Sequence, residues 1–136
     1  MYRSNQALRI DIPFLLVPVQ AGFPSPADDY MEQRLDLSKY LIKHPAATIF
    51  VKVTDDSMIK AGIFEGDLLI VDKSMMPCNN KVVLAVCDGN MIVRRIKTFK
   101  NRSFLIPENK DYRSIEIYDD LNLEIIGVVT NVIHYV

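Results

Sequence analysis

Short runs of apolar and β-branched residues recur along most of the chain and are separated by turn residues, a pattern typical of β-strands. They predict strands at Thr48–Val53, Asp67–Val71, Lys81–Cys87, Asn90–Ile96, Arg102–Ile106, Ser114–Tyr118 and Leu123–Ile133. Only one short helix is predicted, beginning after Asp36 as N-cap, running over Leu37–Lys43 and stopped by Pro45. The fold class is therefore mainly β.

A hairpin is predicted at Asp88-Gly89, because Asp-Gly between two apolar runs favours a two-residue turn. That turn pairs Val83 with Arg94 and Ala85 with Ile92. Since side chains alternate along a strand, Arg94 then shares an apolar face with Ile92 and Ile96. Arg94 is either a rim residue that extends its guanidinium into water or a cation held in a partly dry functional site.

The N-terminal part is predicted to be an arm followed by a hinge. Pro24 and Pro26 lie beside Gly22 and disfavour helix, so the chain divides into an arm (residues 1–21), a hinge (22–30) and a β-rich body (31–136). The arm has no room for a three-helix DNA-binding module. It also lacks the apolar stretch of a signal peptide.

Composition excludes several classes of function. The 136 residues carry a net charge of −1, so no global field favours nucleic acid or an anionic membrane. No apolar run approaches the ~20 residues of a membrane span. The two cysteines and two histidines form no zinc-spaced cluster, and no phosphate-binding glycine motif is present, so we expect no metal and no cofactor. Cysteines without a disulfide framework favour a cytoplasmic location.

Ser57 follows a predicted strand in Asp55-Asp56-Ser57-Met58-Ile59, and two interpretations are open. It is either the N-cap of a short helix, with its hydroxyl accepting a backbone N–H, or a nucleophile presented near backbone donors. A nucleophilic serine needs a proton acceptor. Neither histidine has a suggestive context, which makes a lysine the partner to look for.

A basic run raises the question of nucleic-acid binding. Between residues 94 and 113 only Glu108 and Asp111 oppose seven cations, which are Arg94, Arg95, Lys97, Lys100, Arg102, Lys110 and Arg113. The interleaved Phe99, Phe104 and Tyr112 are expected to be core residues rather than stacking platforms for bases. We therefore expect a solvated face and little direct sequence-specific DNA binding.

Several stretches of the chain resemble a known family. Phe50-Val51-Lys52, Asp56-Ser57-Met58-Ile59, Gly62-Ile63 and Gly66–Asp72 are similar to the self-cleaving LexA/UmuD serine peptidases. The stretch from Ala21 to Arg34 and the close at Leu105-Ile106-Pro107 and Gly127-Val128-Val129 are specifically UmuD-like. The resemblance covers residues 21–136, and residues 1–20 match only loosely.

The resemblance implies a curved antiparallel β body with one short helix and an extended N-terminal arm. It also implies Ser57 as the nucleophile, a scissile bond between Ala21 and Gly22, and self-cleavage on a RecA–single-stranded-DNA filament after DNA damage. UmuD-like proteins then serve as homodimeric accessory subunits of an error-prone translesion polymerase. The resemblance thus implies a role in SOS mutagenesis, with a polymerase catalytic subunit as partner.

One residue departs from the family pattern. The general-base lysine of the family lies 37 residues after the serine, and this position holds Arg94. The reference pKa of arginine lies so far above neutrality that making the side chain neutral at pH 7 would cost roughly 9 kcal/mol. We therefore expect impaired or absent self-cleavage. The alternatives are an active peptidase with another base, such as Lys97 after a strand bulge, and a LexA-like repressor, which the short arm disfavours.

Overall fold

The computed structural model describes residues 11–15, 21–22 and 32–136. Contacts between Cα atoms divide the chain into two compact units, residues 1–45 and 46–136. The observed division lies at residue 45, whereas the sequence places the body's start at residue 31. The assignment of an arm, a hinge and a body stays a prediction, and residues 23–30 of the hinge lie outside the described residues.

The first unit contains a two-stranded sheet and one helix. Strand β1 (Asp11–Leu15) pairs antiparallel with β2 (Glu32–Asp36). Helix α1 (Leu37–Leu41) follows directly, two residues shorter than predicted. Asp36 occupies the N-cap position, as predicted, but its side chain makes no capping hydrogen bond. No helix within the described ranges has the length and hydropathy needed to cross a membrane.

The second unit is a seven-stranded antiparallel sheet that confirms every strand predicted from the sequence. The spatial order is β3-β4-β9-β5-β6-β7-β8. The strands are β3 (Thr48–Lys52), β4 (Leu68–Asp72), β5 (Val82–Cys87), β6 (Asn90–Phe99), β7 (Arg102–Ile106), β8 (Ile115–Ile117) and β9 (Leu123–Ile133). Two 3₁₀ turns, Pro45–Ala47 and Ile59–Ala61, precede and follow β3.

The β5–β6 hairpin has the predicted register. Val83 pairs with Arg94, and Ala85 pairs with Ile92. Both turn residues adopt positive φ, 50° at Asp88 and 78° at Gly89, as a primed two-residue turn requires. This turn therefore determines which face of β6 carries Arg94.

Two apolar clusters cover the two faces of the central strands. One joins Val53, Met58 and Leu69 with Leu84, and the other joins Val83, Ala85 and Leu105 with Val128. Side chains of four adjacent strands, β3, β4, β9 and β5, share the first cluster.

Strand β9 departs from simple alternation. Strict alternation places Ile125 and Val129 on one face, but Ile125 packs with the second cluster and Val129 with the first. The register against β5 shifts between Leu84 and Ala85, which leaves Ile126 as an extra residue on β9. Such a bulge reverses the phase of side chains beyond it. Strict alternation therefore fails along β9, and both clusters of this unit cover its middle.

A buried aspartate, Asp67, holds the residue that follows β9. Asp67 is 3% exposed, and its carboxylate oxygens contact Nδ1 of His134 at 2.6 Å and accept the Phe64 N–H at 2.7 Å. Burial raises the pKa of Asp67, but the bonds from Phe64 and His134 outweigh it, and the net pKa is lowered. Ionised Asp67 therefore stabilises the fold.

We predict that Asp67→Asn lowers the free energy of unfolding at pH 7 by roughly 1–3 kcal/mol, since bonds to a charged acceptor are weakened. The contribution of Asp67 to the free energy of unfolding is complete above the pKa of about 4 that this residue has in the unfolded chain. It is lost as the pH falls through the lower pKa of Asp67 in the folded chain. The difference between parent and variant should thus shrink toward pH 3 in urea unfolding curves. Asp88→Asn, in the exposed hairpin turn, is the control. A difference independent of pH would contradict the prediction.

Candidate active site

Ser57 lies in a loop that the core holds in place. This serine loop, residues 53–58, leaves β3 and ends at Met58, which is buried in the first cluster. Ser57 is 2% exposed. The N-cap interpretation is wrong, because the following 3₁₀ turn begins at Ile59 with Met58 as its N-cap residue and has no side-chain cap. The serine hydroxyl is engaged by side chains instead.

Arg94 reaches Ser57 from β6. Its Nη1 donates to Oγ of Ser57 at 2.9 Å and to the carbonyl oxygen of Val93 at 2.7 Å. At 8% exposure Arg94 is buried, so it is not a rim residue with its charge in water. The structure thus brings together the two residues that the sequence singled out, 37 positions apart.

The guanidinium of Arg94 is incompletely compensated. Its Nε is buried and has no hydrogen-bond partner among the residues that the structure describes. Burial lowers the pKa of Arg94, and the charge of Asp55 opposes that lowering. Because the ordinary pKa of arginine lies above 12, the side chain remains a cation at neutral pH. It donates hydrogen bonds to Ser57 and accepts none.

Asp55 is the residue of this site that sequence reasoning missed. Its Oδ1 accepts the hydroxyl hydrogen of Ser57 at 2.8 Å and the Ser57 backbone N–H at 3.0 Å. The signal was present in the sequence, since an aspartate two residues before a serine commonly accepts from that residue in a local turn. Ser57 therefore lies between a carboxylate and a guanidinium.

A second loop closes the site. This tyrosine loop, residues 107–114 between β7 and β8, is joined to the serine loop by a backbone hydrogen bond. The Glu108 N–H donates to the Ser57 carbonyl, and the Lys60 N–H donates to the Glu108 carbonyl, both at 2.9 Å. Its Tyr112 ring lies 5.7 Å from the Arg94 guanidinium carbon.

Tyr112 is also tied to the serine loop. Its hydroxyl donates to Oδ1 of Asp56 at 2.7 Å, and that bond, with lesser help from burial, raises the pKa of Tyr112. Asn109 donates to the Asp56 carbonyl oxygen from the same loop. Tyr112 is therefore an uncharged side chain that lines the site. It is half-buried and is not a core residue.

A small cleft opens beside Ser57. Its volume is about 120 Å³, and the end of β3, the serine loop and the β5–β6 hairpin line it. The lining includes Val53, Asp55, Ser57, Leu84, Ile92 and Val93. A cleft of this size suits a segment with small side chains. Ala21 and Gly22, the expected scissile pair, have small side chains and lie in an exposed bend of the first unit.

Lys97 is directed away from Ser57. The pairing of β6 with β7 runs without a shift from Arg95–Ile106 to Phe99–Arg102, so no bulge changes the face of Lys97. Three residues from Arg94, Lys97 lies on the opposite face, and its Nζ donates to Oδ1 of Asn80 at 2.5 Å. The alternative base proposed from the sequence is thus not supported by the register.

The basic run does not form one continuous face. Arg94 is buried at Ser57, Arg95 pairs with Glu108 at 2.7 Å, and Arg102 pairs with Glu116 at 2.6 Å.

The core placement of Phe99 is wrong, because its side chain is 66% exposed at the end of β6, while Phe104 is half-buried.

Among the residues that the structure describes, no three His, Cys, Asp or Glu side chains come together as metal ligands. Cys78 and Cys87 are both free thiols. The absence of a metal and a cofactor remains an expectation from the sequence.

Comparison with known proteins agrees with the geometry. Residues 13–130, which include Ser57 and Arg94, match the Peptidase S24-like family. Protein SamA of Salmonella typhimurium is 46% identical over 131 residues, covering 96% of this chain and 91% of SamA. Protein MucA of Escherichia coli is 39% identical, covering 96% and 90%. The LexA repressor of Shewanella baltica is 37% identical, covering 86% of this chain and 59% of that repressor.

The family match spans most of the chain, and the SamA and MucA relatives align over nearly their whole length. The chain therefore belongs to the Peptidase S24-like family, as a UmuD-like member of its LexA/UmuD group.

Proposed function

We propose that this protein is a UmuD-like accessory subunit of an error-prone translesion polymerase in the SOS response, and that its self-cleavage at Ala21–Gly22 is blocked. The family and its UmuD-like relatives support the role in mutagenesis. One contact supports the block, the bond from Arg94 Nη1 to Ser57 Oγ at 2.9 Å. Binding in the cytoplasm, rather than turnover, is then the main activity.

The chemistry of the block is a missing proton acceptor. Attack of Ser57 Oγ on the Ala21 carbonyl carbon requires that the hydroxyl proton leave as the new C–O bond forms, and that a proton reach the Gly22 nitrogen when the C–N bond breaks. A neutral lysine can take and return that proton. The Arg94 guanidinium is already fully protonated, so it polarises the hydroxyl oxygen without removing its hydrogen.

A second candidate function is an active self-peptidase with Asp55 as base. The observation in its favour is that Asp55 Oδ1 accepts the Ser57 hydroxyl hydrogen at 2.8 Å. The geometry weighs against it, because the same Oδ1 of Asp55 also accepts the Ser57 backbone N–H at 3.0 Å and is thus already used by the local turn. Cleavage by the unmodified chain separates the two functions.

We predict that the parent chain does not cut Ala21–Gly22 up to pH ~10, where arginine is still charged and a lysine near its reference pKa of ~10.4 is partly neutral. Arg94→Lys should cut slowly, at a rate that rises with pH, because it returns a titratable base beside Ser57. A mass-spectrometric time course that follows loss of residues 1–21 measures both.

The control is Arg95→Lys, the neighbouring residue on the opposite face of β6, which should leave the parent uncut. Adding Ser57→Ala to Arg94→Lys should stop the cut, because the nucleophile is gone. Cleavage by the parent as fast as by Arg94→Lys would refute the block at position 94.

Two partners are proposed from the family, a RecA–single-stranded-DNA filament and a translesion polymerase catalytic subunit. We predict that the chain and its Ser57→Ala variant co-purify equally with the catalytic subunit of a translesion polymerase from the same cell, because the interaction is binding and not catalysis. A pull-down with either tagged component measures this. Failure of both chains to bind would contradict the accessory role, and loss with Ser57→Ala alone would make turnover necessary.

We propose a homodimer, supported by apolar residues left exposed beyond the middle of β9. Val132 and Ile133 are each 37% exposed, and Tyr135 and Val136 follow them at the surface. Clustered exposed apolar side chains are typical of interaction surfaces. We predict that Ile133→Asp shifts the sedimentation of the chain at micromolar concentration from dimer to monomer, whereas Tyr118→Asp, an exposed residue away from β9, leaves the dimer intact. A monomeric parent would refute the proposal.

A further inference from the structure

The hydrogen bonds around Ser57 give its hydroxyl a defined direction. The single hydroxyl hydrogen is donated to Asp55 Oδ1 at 2.8 Å, and the oxygen accepts from Arg94 Nη1 at 2.9 Å. The same Asp55 oxygen accepts the Ser57 N–H at 3.0 Å. The hydrogen that a base must remove is thus held on the side of Asp55.

We propose that Asp55 is a positioning residue that forms a second block on Ser57, by holding its hydroxyl hydrogen away from position 94 and by stabilising a cation at that position. The inference rests on the proposed blocked self-peptidase and deepens it. Replacing Arg94 with lysine then removes only one of two obstacles.

A second Asp-x-Ser turn in the chain shows which part of this arrangement is ordinary. Asp72 Oδ1 accepts the Ser74 N–H at 2.8 Å and the Ser74 hydroxyl at 2.6 Å, which is the same local geometry. Ser74, however, is exposed, whereas Ser57 is buried and also contacts a buried cation. The turn is therefore a common structural device, and the added guanidinium makes it part of the site.

The charges around position 94 favour a cation there. Asp55 faces it from the serine loop and Tyr112 from the tyrosine loop, while Asp56 accepts the Tyr112 hydroxyl. Val83, its partner on β5, is apolar. Asp55 contributes the largest charge interaction with Arg94, against the effect of burial. A lysine placed there meets the same carboxylate and loses its proton only at higher pH.

The test compares Arg94→Lys with the double variant Arg94→Lys/Asp55→Asn in self-cleavage from pH 6 to 11. We expect the midpoint of the rate profile to fall by about one pH unit in the double variant, which is about tenfold faster cleavage well below the midpoint, because the opposing charge is gone. Asparagine retains an oxygen that can accept from Ser57, so the turn is preserved. Arg94→Lys/Asp111→Asn is the charge control. Asp111 is an exposed acid of the tyrosine loop, and its backbone N–H donates to Asn109 Oδ1.

A shift no larger than that of the Asp111 control would overturn the proposal. So would cleavage by the parent that Asp55→Asn abolishes, because Asp55 would then be the base. Thermal unfolding of each variant checks that the fold is retained.

A second readout does not depend on cleavage. The ¹³Cε resonance of the lysine introduced at position 94 reports its titration by NMR, with and without Asp55→Asn. A midpoint lowered by about one unit supports the role of Asp55 even if no variant cuts, and an unchanged midpoint refutes it. Cleavage by the parent chain as fast as by Arg94→Lys refutes the block at Arg94 and leaves this NMR readout unaffected, so the two proposals fail separately.

Discussion

A buried cation that must be compensated organises this site. The two-residue turn at Asp88-Gly89 determines the register of β6, and the register directs Arg94 into the interior. A buried guanidinium without partners is costly, so the surrounding groups supply oxygen atoms and negative charge. Ser57 Oγ and the Val93 carbonyl accept from it, and Asp55 supplies the charge.

Consecutive residues of β6 hold the two loops from opposite faces of the sheet. Arg94 contacts the serine loop, and Arg95 pairs with Glu108 at the start of the tyrosine loop. The Glu108 backbone then bonds to Ser57 and Lys60. A half-exposed ion pair such as Arg95–Glu108 contributes only ~0–1 kcal/mol by itself. Its role is to position a loop whose backbone holds the serine.

The sequence predicted the strands well because period-two patterning and turn residues are local signals. The Arg94 position followed from the same rules, since one turn type determines every pair in a hairpin. The faces of β9 did not follow, because the register against β5 shifts at Ile126, and Gly127 beside it approaches β4 closely. A Cβ on Gly127 would lie 2.8 Å from the Asp72 carbonyl oxygen, a contact that no local pattern of β9 reveals.

The side-chain details of the site were harder to predict for a related reason. Tyr112 reaches Arg94 and Asp56 from a loop that is distant in sequence, and only the folded chain brings them together. Phe99 shows the opposite error, since an aromatic residue in a β-rich chain is usually covered, yet this one lies at the exposed end of a hairpin. Apolarity predicts burial only where the strand remains within the sheet.

The groups around Ser57 compensate one another only in part, because Nε of Arg94 has no hydrogen-bond partner among the described residues. Asp55 and Arg94 carry opposite charges and meet on one hydroxyl, which donates to the first and accepts from the second. Neutralising either group alone leaves the other with less compensation, and for the buried Arg94 that loss is the larger. A nucleophile needs one partner that can gain a proton. We propose the block because this pair uses both hydrogen-bonding directions of the serine, whose hydroxyl bridges the two charges.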